Sequence, residues 1–109
     1  HILPVLNTLL ADNGEAVCLI KPQFEAGKDK VGKKGVVRDL AVHLEVVEKI
    51  IHLAVDNGFN VMGLQFSPIK GPEGNIEYLI YLQKSTEPFV SNNVDAKALV
   101  NQSHTELDK

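Results

Sequence analysis

The chain has 109 residues, 44% of them hydrophobic and 23% charged, with a formal net charge of −3 at pH 7, and these values predict one domain with a modest core. No apolar run is long enough to span a membrane, no secretory signal is visible, and the single cysteine, Cys18, excludes an intramolecular disulfide framework. We therefore expect a cytoplasmic protein, from a reducing compartment, in which Cys18 is a small core residue.

The first two predicted elements are a helix and a short buried strand. Residues 2–10 have helical spacing, and an Asn-Gly pair at 13–14 is a suitable C-terminal stop. The chain begins without methionine, on what has the pattern of a first helical turn, so we expect a fragment of a longer protein. Residues 15–21 form the first strand, because the run is apolar and Pro22 stops the strand pattern.

A long helix occupies the middle of the predicted fold. Asp39 can cap its start and an Asn-Gly pair at 57–58 can end it, so we expect a helix over residues 40–57. The glycine- and lysine-rich loop before it, about twenty residues long, exceeds a plain connector and is a candidate functional loop. The apolar stripe that should face a sheet consists of Leu40, Leu44, Val47, Ile51 and Ala54, with Ile50 and Leu53 alongside.

Two further strands follow the helix. Residues 59–66 alternate apolar and polar side chains, and residues 76–82 form another strand pattern after a loop rich in proline and glycine. Consecutive strands with so short a connection are most simply antiparallel. The tail after residue 85 is polar and carries one weak helix pattern over residues 94–107. The element order predicts an α/β fold, a partial Rossmann-like sheet of strand, right-handed crossover helix and antiparallel strand pair, with flanking helices.

Lys21 is the residue that most needs an explanation. A charged side chain at the carboxyl end of a buried strand is costly unless it has a role or a partner, and open α/β sheets place their chemistry there. Glu77 begins a strand that runs the opposite way, so the two side chains share one rim of the sheet if those strands are neighbours. They could form a simple ion pair. Alternatively, Lys21 could be a general base that the carboxylate orients, although a second cation is then needed to favour the neutral amine.

The basic residues are concentrated in one segment. Residues 21–38 carry six basic and two acidic side chains, whereas the rest of the chain is acidic. Such a segment suggests an anionic ligand such as phosphate or RNA, while a solvated loop kept soluble by its lysines is the open alternative. Arg38 could instead pair with Asp39 or with a carbonyl at the end of the sheet. The candidate RNA-contacting residues are Lys28, Lys30, Lys33, Lys34 and Arg38.

Two other patterns carry less weight. Residues 27–34 nearly match the sequence motif of a phosphate-binding P-loop, but the final serine or threonine is missing, so nucleotide hydrolysis is not expected. His43 and His52 lie nine residues apart on the long helix, almost half a turn out of register. Because they cannot share a metal in the way that an i, i+4 pair does, no metal site is predicted.

Three separated blocks of residues, in this order, resemble one known family. They are Lys-Pro-Gln-Phe-Glu-Ala-Gly at 21–27; Gly-Val-Val-Arg-Asp at 35–39 with His43; and Ser-Pro-Ile at 67–69, Gly-Pro at 71–72 and Gly-Asn-Ile-Glu-Tyr-Leu at 74–79. Over roughly residues 1–83, the chain is similar to the TlyA, or haemolysin-A-type, family of FtsJ-like ribosomal RNA 2′-O-methyltransferases, which use S-adenosylmethionine.

The resemblance implies a catalytic role for the two residues at the predicted sheet rim. The active site of this family is a Lys-Asp-Lys-Glu tetrad, whose second lysine corresponds to Lys21 and whose glutamate corresponds to Glu77. By this resemblance, Lys21 positions or deprotonates the ribose 2′-hydroxyl for attack on the methylsulfonium, and Glu77 orients the lysines. The implied cofactor is S-adenosylmethionine, and the implied partner is ribosomal RNA or a ribosomal subunit.

Several parts of the family pattern have no counterpart in this sequence: the first lysine and the aspartate of the tetrad, the glycine-rich loop that holds the cofactor, and the amino-terminal S4-like RNA-binding domain. Residues 1–84 are therefore expected to be the carboxyl-terminal half of a methyltransferase domain, and residues 85–109 a polar tail. We expect no cofactor-binding residues in this chain and no activity from it alone. A sheet without its flanking strands has an exposed edge, so a homo-oligomer through that edge is also expected.

Functions of two other classes stay open. The haemolysin name of the family suggests a membrane-active protein, although the sequence offers no spanning segment and no strongly cationic amphipathic helix. A non-catalytic RNA- or protein-binding module is the other alternative. Phe24, Tyr78 and Tyr81 could stack on bases in such a module, but aromatic residues on strands more often belong to the core.

Overall fold

The structure, a computed structural model, describes residues 14–26, 36–71 and 74–107. The predicted helix over residues 2–10 and most of the lysine-rich loop lie outside the described residues. The elements are, in chain order, strand β1 (Glu15–Ile20), helix α1 (Pro22–Glu25), helix α2 (Leu40–Asp56), strand β2 (Phe59–Phe66), strand β3 (Tyr78–Lys84) and helix α3 (Ala96–Leu107).

The last strand in the sequence lies in the middle of the sheet. The strand order is β1-β3-β2, and β3 pairs antiparallel with both of its neighbours. Strands β1 and β2 are therefore parallel to each other, and helix α2 connects them across β3. This arrangement confirms the predicted α/β class, with a crossover helix and an antiparallel strand pair.

Strand β3 begins and ends two residues later than predicted. Its pairing with β2 starts where Tyr78 lies opposite Phe66, so Ile76 and Glu77 precede the strand. At its other end, the Lys84 amide donates a hydrogen bond of 2.8 Å to the carbonyl of Gly14, which extends the strand beyond the apolar run. The prediction followed the apolar pattern, whereas the backbone pairing sets the bounds.

Helix α2 begins where predicted and ends one residue earlier than predicted, at Asp56. The Asp39 side chain accepts a hydrogen bond of 2.8 Å from the Ala41 amide, which satisfies one of the unpaired donors of the first turn. Gly58, with a φ of 85°, follows the helix in the left-handed conformation that glycine tolerates best.

The buried face of α2 is rotated from the predicted stripe. Leu44 and Ile51 are only half-buried, because they lie on the flank of the face that packs against the sheet and α3. Val47 and Ala54, which belong to the predicted stripe, are buried as predicted. His43 lies on the same face, and an apolar pattern does not predict a buried histidine. The buried residues of this helix are His43, Val46, Val47, Ile50 and Ala54.

The weak helix pattern in the tail corresponds to an element that joins the core. Helix α3 packs against α2 and β2, and its Val100 and Ser103 are fully buried. Only these two of its residues are buried, which explains the weak apolar signal. The core that they join also contains Phe59, Val61 and Tyr78, each fully buried.

Cys18 packs against this core from β1. Its side chain is half-buried, and burial raises the pKa of the thiol above its ordinary value. A raised pKa leaves less of the nucleophilic thiolate at neutral pH. The surroundings of Cys18 thus fit a small core residue better than a nucleophile.

Candidate catalytic site at the end of strand β1

Lys21 and Glu77 lie at the same rim of the sheet. Ile20, the last residue of β1, is paired with Tyr78, the first residue of β3. The next residue of β1 and the preceding residue of β3 are Lys21 and Glu77, which are therefore opposite each other just beyond the paired segment. The neighbouring strands that this site requires are present, so the two candidate residues converge although 56 positions separate them in the sequence.

The Glu77 carboxylate is held in a nearly buried position. Its exposed fraction is 8%, and its Oε2 accepts a hydrogen bond of 3.2 Å from Nε2 of Gln23. The backbone of Gly71 closes another side, because a Cβ built on this glycine would lie 2.5 Å from the same Oε2. The backbone is also fixed, since the Ser67 amide donates to the Glu77 carbonyl at 2.8 Å.

Lys21 is half-buried and lies at the start of the short helix α1. Its Nζ lies 5.7 Å from the centroid of the Phe24 ring, within the range of a cation–π interaction. Phe24 itself is 75% exposed, so it is not the core residue that a strand aromatic would be. Lys21 contacts this ring and Glu77 contacts Gln23, and among the described residues no ion pair joins the two candidates.

Helix α1, which the sequence pattern did not predict, brings Lys21, Gln23 and Phe24 together. Pro22 occupies its first position, where the missing amide hydrogen of proline carries no cost. The Phe24 amide donates to the Lys21 carbonyl at 2.9 Å, and the Ala26 amide donates to the Pro22 carbonyl at 2.9 Å. The signal in the sequence that could have predicted this turn is Pro22, because proline marks the first position of a helix as well as the end of a strand.

Asn75 connects the site to the end of the lysine-rich segment. Its buried side-chain Oδ1 accepts a hydrogen bond of 3.0 Å from the Val37 amide, and its carbonyl accepts one of 2.8 Å from the Gly71 amide. The Asn75 residue thereby connects the loop that carries Glu77 to the residues that precede α2. Asn75 belongs to the Gly-Asn-x-Glu block, but its role was not anticipated.

The proposed RNA-contacting residues fall in two groups. Lys28, Lys30, Lys33 and Lys34 lie outside the described residues. Arg38 is described and exposed, beside the buried Val36 and Val37. The Asp39 carboxylate caps α2, and among the described residues it forms no pair with Arg38. Arg38 therefore extends from an anchored backbone into solvent.

A buried polar cluster, consisting of His43, Tyr78, Ser103 and His104, lies behind the site. His43 Nε2 donates to the Val37 carbonyl at 2.7 Å, so its Nδ1 in the neutral ring can accept from His104 Nε2 at 2.8 Å. Ser103 Oγ donates to the Val100 carbonyl at 2.7 Å and accepts from the Tyr78 hydroxyl at 2.9 Å. The Tyr78 hydroxyl also lies 3.1 Å from His43 Nδ1. The cluster joins α2, β3 and α3, and nothing in the sequence pattern indicated it.

The described residues contain neither a cluster of metal ligands nor a membrane-spanning helix. Within ranges 14–26, 36–71 and 74–107, no group of three or more His, Cys, Asp or Glu side chains is arranged to hold a metal ion. In the same ranges, no helix combines the length and apolar character needed to cross a membrane.

The family model described as FtsJ-like methyltransferase matches residues 2–84. The chain belongs to this family. Within it, the chain is 52% identical over 81 residues to YqxC of Bacillus subtilis, which bears an rRNA methyltransferase name. It is 34% identical over 108 residues to TlyA of Mycobacterium tuberculosis, named a 16S/23S rRNA (cytidine-2′-O)-methyltransferase, and 45% identical over 65 residues to Hemolysin A of Brachyspira hyodysenteriae.

These FtsJ-like relatives confirm the resemblance, but they are much longer proteins. The matches cover 74%, 99% and 60% of this chain, and 29%, 39% and 27% of YqxC, TlyA and Hemolysin A. A solved structure from Streptococcus thermophilus, described as a hemolysin, superposes with a TM-score of 0.92 at 46% identity. That superposition covers 98% of this chain and 38% of the solved one, so the fold agrees over almost all of the chain.

Proposed function

We propose that the protein is an S-adenosylmethionine-dependent methyltransferase of ribosomal RNA that acts on a ribose 2′-hydroxyl in the cytoplasm. The observation that carries the proposal is the convergence of Lys21 and Glu77 at one rim of the sheet. These are the residues that match the second lysine and the glutamate of the family tetrad. The name of the TlyA relative, a cytidine-2′-O-methyltransferase, supports the same substrate class.

The cofactor enters the proposal from the family and not from the described residues. A nucleoside cofactor is typically held by a glycine-rich turn after a strand, whereas β1 is followed by a proline-initiated helical turn. The described residues thus do not fit the cofactor. The residues that they provide, Lys21 and Glu77, would act on the RNA hydroxyl.

In the proposed reaction, the ribose O–H bond and the S–CH₃ bond of the methyl donor break and an O–CH₃ bond forms, while the demethylated donor leaves as a neutral thioether. The hydroxyl must therefore be aligned and its proton removed. The Lys21 amine lies at the rim and orients the hydroxyl, while Glu77 orients the amine. Lys21 can take the proton only if a further cation favours the neutral amine, and the first lysine of the tetrad would provide it.

The basic segment before α2 is the proposed RNA contact. Lys28, Lys30, Lys33 and Lys34 would neutralise phosphates together with Arg38, and such contacts need charge rather than sequence-specific geometry. Arg38 is suited to this role because it is exposed on an anchored backbone beside Val37. Hydrogen bonding by Asn75 to Val37 keeps this anchor beside the catalytic rim.

The proposal is tested by methyl transfer. We expect the full-length gene product to transfer labelled methyl groups from S-adenosylmethionine to ribosomal subunits. The labelled position should be a ribose 2′-oxygen, which is recognised because the adjacent phosphodiester becomes resistant to alkaline hydrolysis. Residues 1–109 contain only two of the four tetrad groups, so the same assay with this segment alone should give no transfer. An absence of transfer from the full-length product to any ribosomal substrate would contradict the proposal and favour a binding module. Leakage of dye from lipid vesicles would instead favour the membrane-active alternative.

We also propose that the isolated 109-residue chain associates with itself through the free edge of β1. Among the described strands, β1 pairs only with β3, and its Val17 and Leu19 are 57% and 54% exposed. An unpaired edge with apolar side chains favours strand pairing between copies. We expect a dimer by sedimentation that Leu19→Lys shifts to a monomer, whereas Ile69→Lys, at a more exposed loop position, has no effect. A monomer at high concentration in the unmutated chain would contradict this proposal.

A further inference from the structure

The Glu77 carboxylate is confined by one side-chain donor and one glycine. The donor is Gln23, whose Nε2 lies 3.2 Å from Oε2 of the carboxylate. The glycine is Gly71, on which a Cβ would lie 2.5 Å from Oε2, 2.6 Å from Cδ and 2.9 Å from Oε1. Both contacts concern the carboxylate rather than the backbone of Glu77, so they restrict where its oxygens can lie.

The orientation of the Gln23 amide is fixed by the carboxylate. If the amide were reversed, its oxygen would face the negatively charged oxygens of Glu77, so the nitrogen must point toward them. The other amide atom, Oε1, is buried and, among the described residues, has no hydrogen-bond partner.

The need for glycine at position 71 comes from space and not from the backbone. Among the described glycines, only Gly58 and Gly74 have a positive φ, so the conformation of Gly71 is open to any residue. The loop is also held in place, since the Gly71 amide donates to the Asn75 carbonyl at 2.8 Å and the Gly74 amide donates to the Gly71 carbonyl at 3.1 Å. A side chain at 71 would therefore displace the carboxylate, because the amide and the carbonyl of Gly71 are both held by hydrogen bonds.

We propose that Gln23 and Gly71 are positioning residues that set the location of the Glu77 carboxylate, Gln23 by its hydrogen bond and Gly71 by leaving room for the carboxylate. The catalytic part of this inference rests on the proposed function, in which Glu77 orients the lysine amine. The structural part, that the carboxylate and Gly71 exclude a Cβ between them, does not depend on any activity.

A double-mutant cycle tests the structural part. We expect Gly71→Ala in the full-length gene product to lower the Tm by roughly 2 °C, because the added methyl group forces the carboxylate, the movable end of its side chain, to shift. In a Glu77→Ala background the collision is gone, so the same substitution should have almost no effect. Gly74→Ala is the matched control, because Gly74 has a φ of 87° and no atoms within 4 Å of its Cβ position, so its cost should be equal in both backgrounds. Additive effects of Gly71→Ala and Glu77→Ala would overturn the inference, whatever the activity.

Methyl-transfer kinetics test the catalytic part. We expect Gly71→Ala and Gln23→Met to lower kcat by roughly 10- to 100-fold, since misplacing an orienting group by about 1 Å has an effect of this size. The KM for the cofactor should not change. Gln65→Met, the same substitution at an exposed position on β2, should leave both constants unchanged. Unchanged kcat in the Gly71 and Gln23 variants would overturn the positioning role. A wild-type protein without transfer would instead refute the proposed function, while the Tm cycle would still decide whether Gly71 and the carboxylate are coupled.

Discussion

Replacement of Lys21 by alanine is expected to lower kcat for methyl transfer by the full-length gene product about 10²- to 10⁴-fold. The reason is that, under the proposed function, the lysine would both align the ribose hydroxyl and remove its proton. Because β1 ends at Ile20 by pairing with β3, the substitution removes a side chain beyond the paired segment, and the sheet should stay intact. Steady-state kinetics with labelled S-adenosylmethionine and ribosomal subunits measure the loss.

Two further variants separate the functions of this lysine. Lys21→Arg keeps the positive charge but cannot lose its proton in a protein, so it should be nearly as inactive as Lys21→Ala if proton removal matters. Lys49→Ala, at an exposed position on α2, is the control for a general loss of positive charge and should be fully active. Activity that survives in Lys21→Ala would leave the family membership standing and refute the role assigned to Lys21.

Replacement of His43 by alanine is expected to lower the free energy of unfolding by about 3 kcal/mol. The side chain is 1% exposed and its Nε2 donates to the Val37 carbonyl at 2.7 Å. Without the ring, this buried carbonyl loses a donor, and the Tyr78 hydroxyl loses a neighbour at 3.1 Å. A loss of this size is a large share of the stability of a typical domain. Thermal or denaturant unfolding of the full-length product measures it.

The same helix provides the control for this prediction. His52→Ala removes the same side chain from an exposed position, so it should change the stability by less than about 0.5 kcal/mol. Equal effects of the two substitutions would show that the buried polar cluster contributes little. Such a result would be informative, because the cluster is the connection between α3 and the residues that precede α2.

Local patterns in the sequence were enough to predict several elements. The alternation over residues 59–66 gives the bounds of β2, and Asp39 together with the Asn-Gly pair at 57–58 marks the ends of α2. Each of these signals acts within a few residues and is independent of the rest of the fold. The shifted bounds of β3 have the opposite origin, because its start depends on the pairing of Tyr78 with Phe66 and its end on the hydrogen bond between Lys84 and Gly14, which are distant in the sequence.

The candidate site was predictable to the extent that topology determines it. A lysine at the end of one strand and a glutamate at the start of an antiparallel strand share one rim if the two strands are neighbours. The sequence predicted this arrangement conditionally, and the pairing of β1 with β3 supplies the missing condition. Gln23, Gly71 and Asn75 could not be placed in this way, since their roles arise from contacts between loops. A pattern of strands and helices fixes which loops are near one another, but not which atoms of those loops touch.

The central position of β3 has a consequence for the order in which the molecule is assembled. Synthesis releases β1, α2 and β2 before β3, yet β1 and β2 are bound to each other only through that last strand. The contact between Gln23 and Glu77 bridges 54 positions, and contacts of such separation form slowly. Lys21 is therefore synthesised well before Glu77. An incomplete chain carries the basic segment before the rim of the sheet that holds both residues has formed. Until β3 inserts, the nascent chain presents its basic segment before the two sides of this rim have come together.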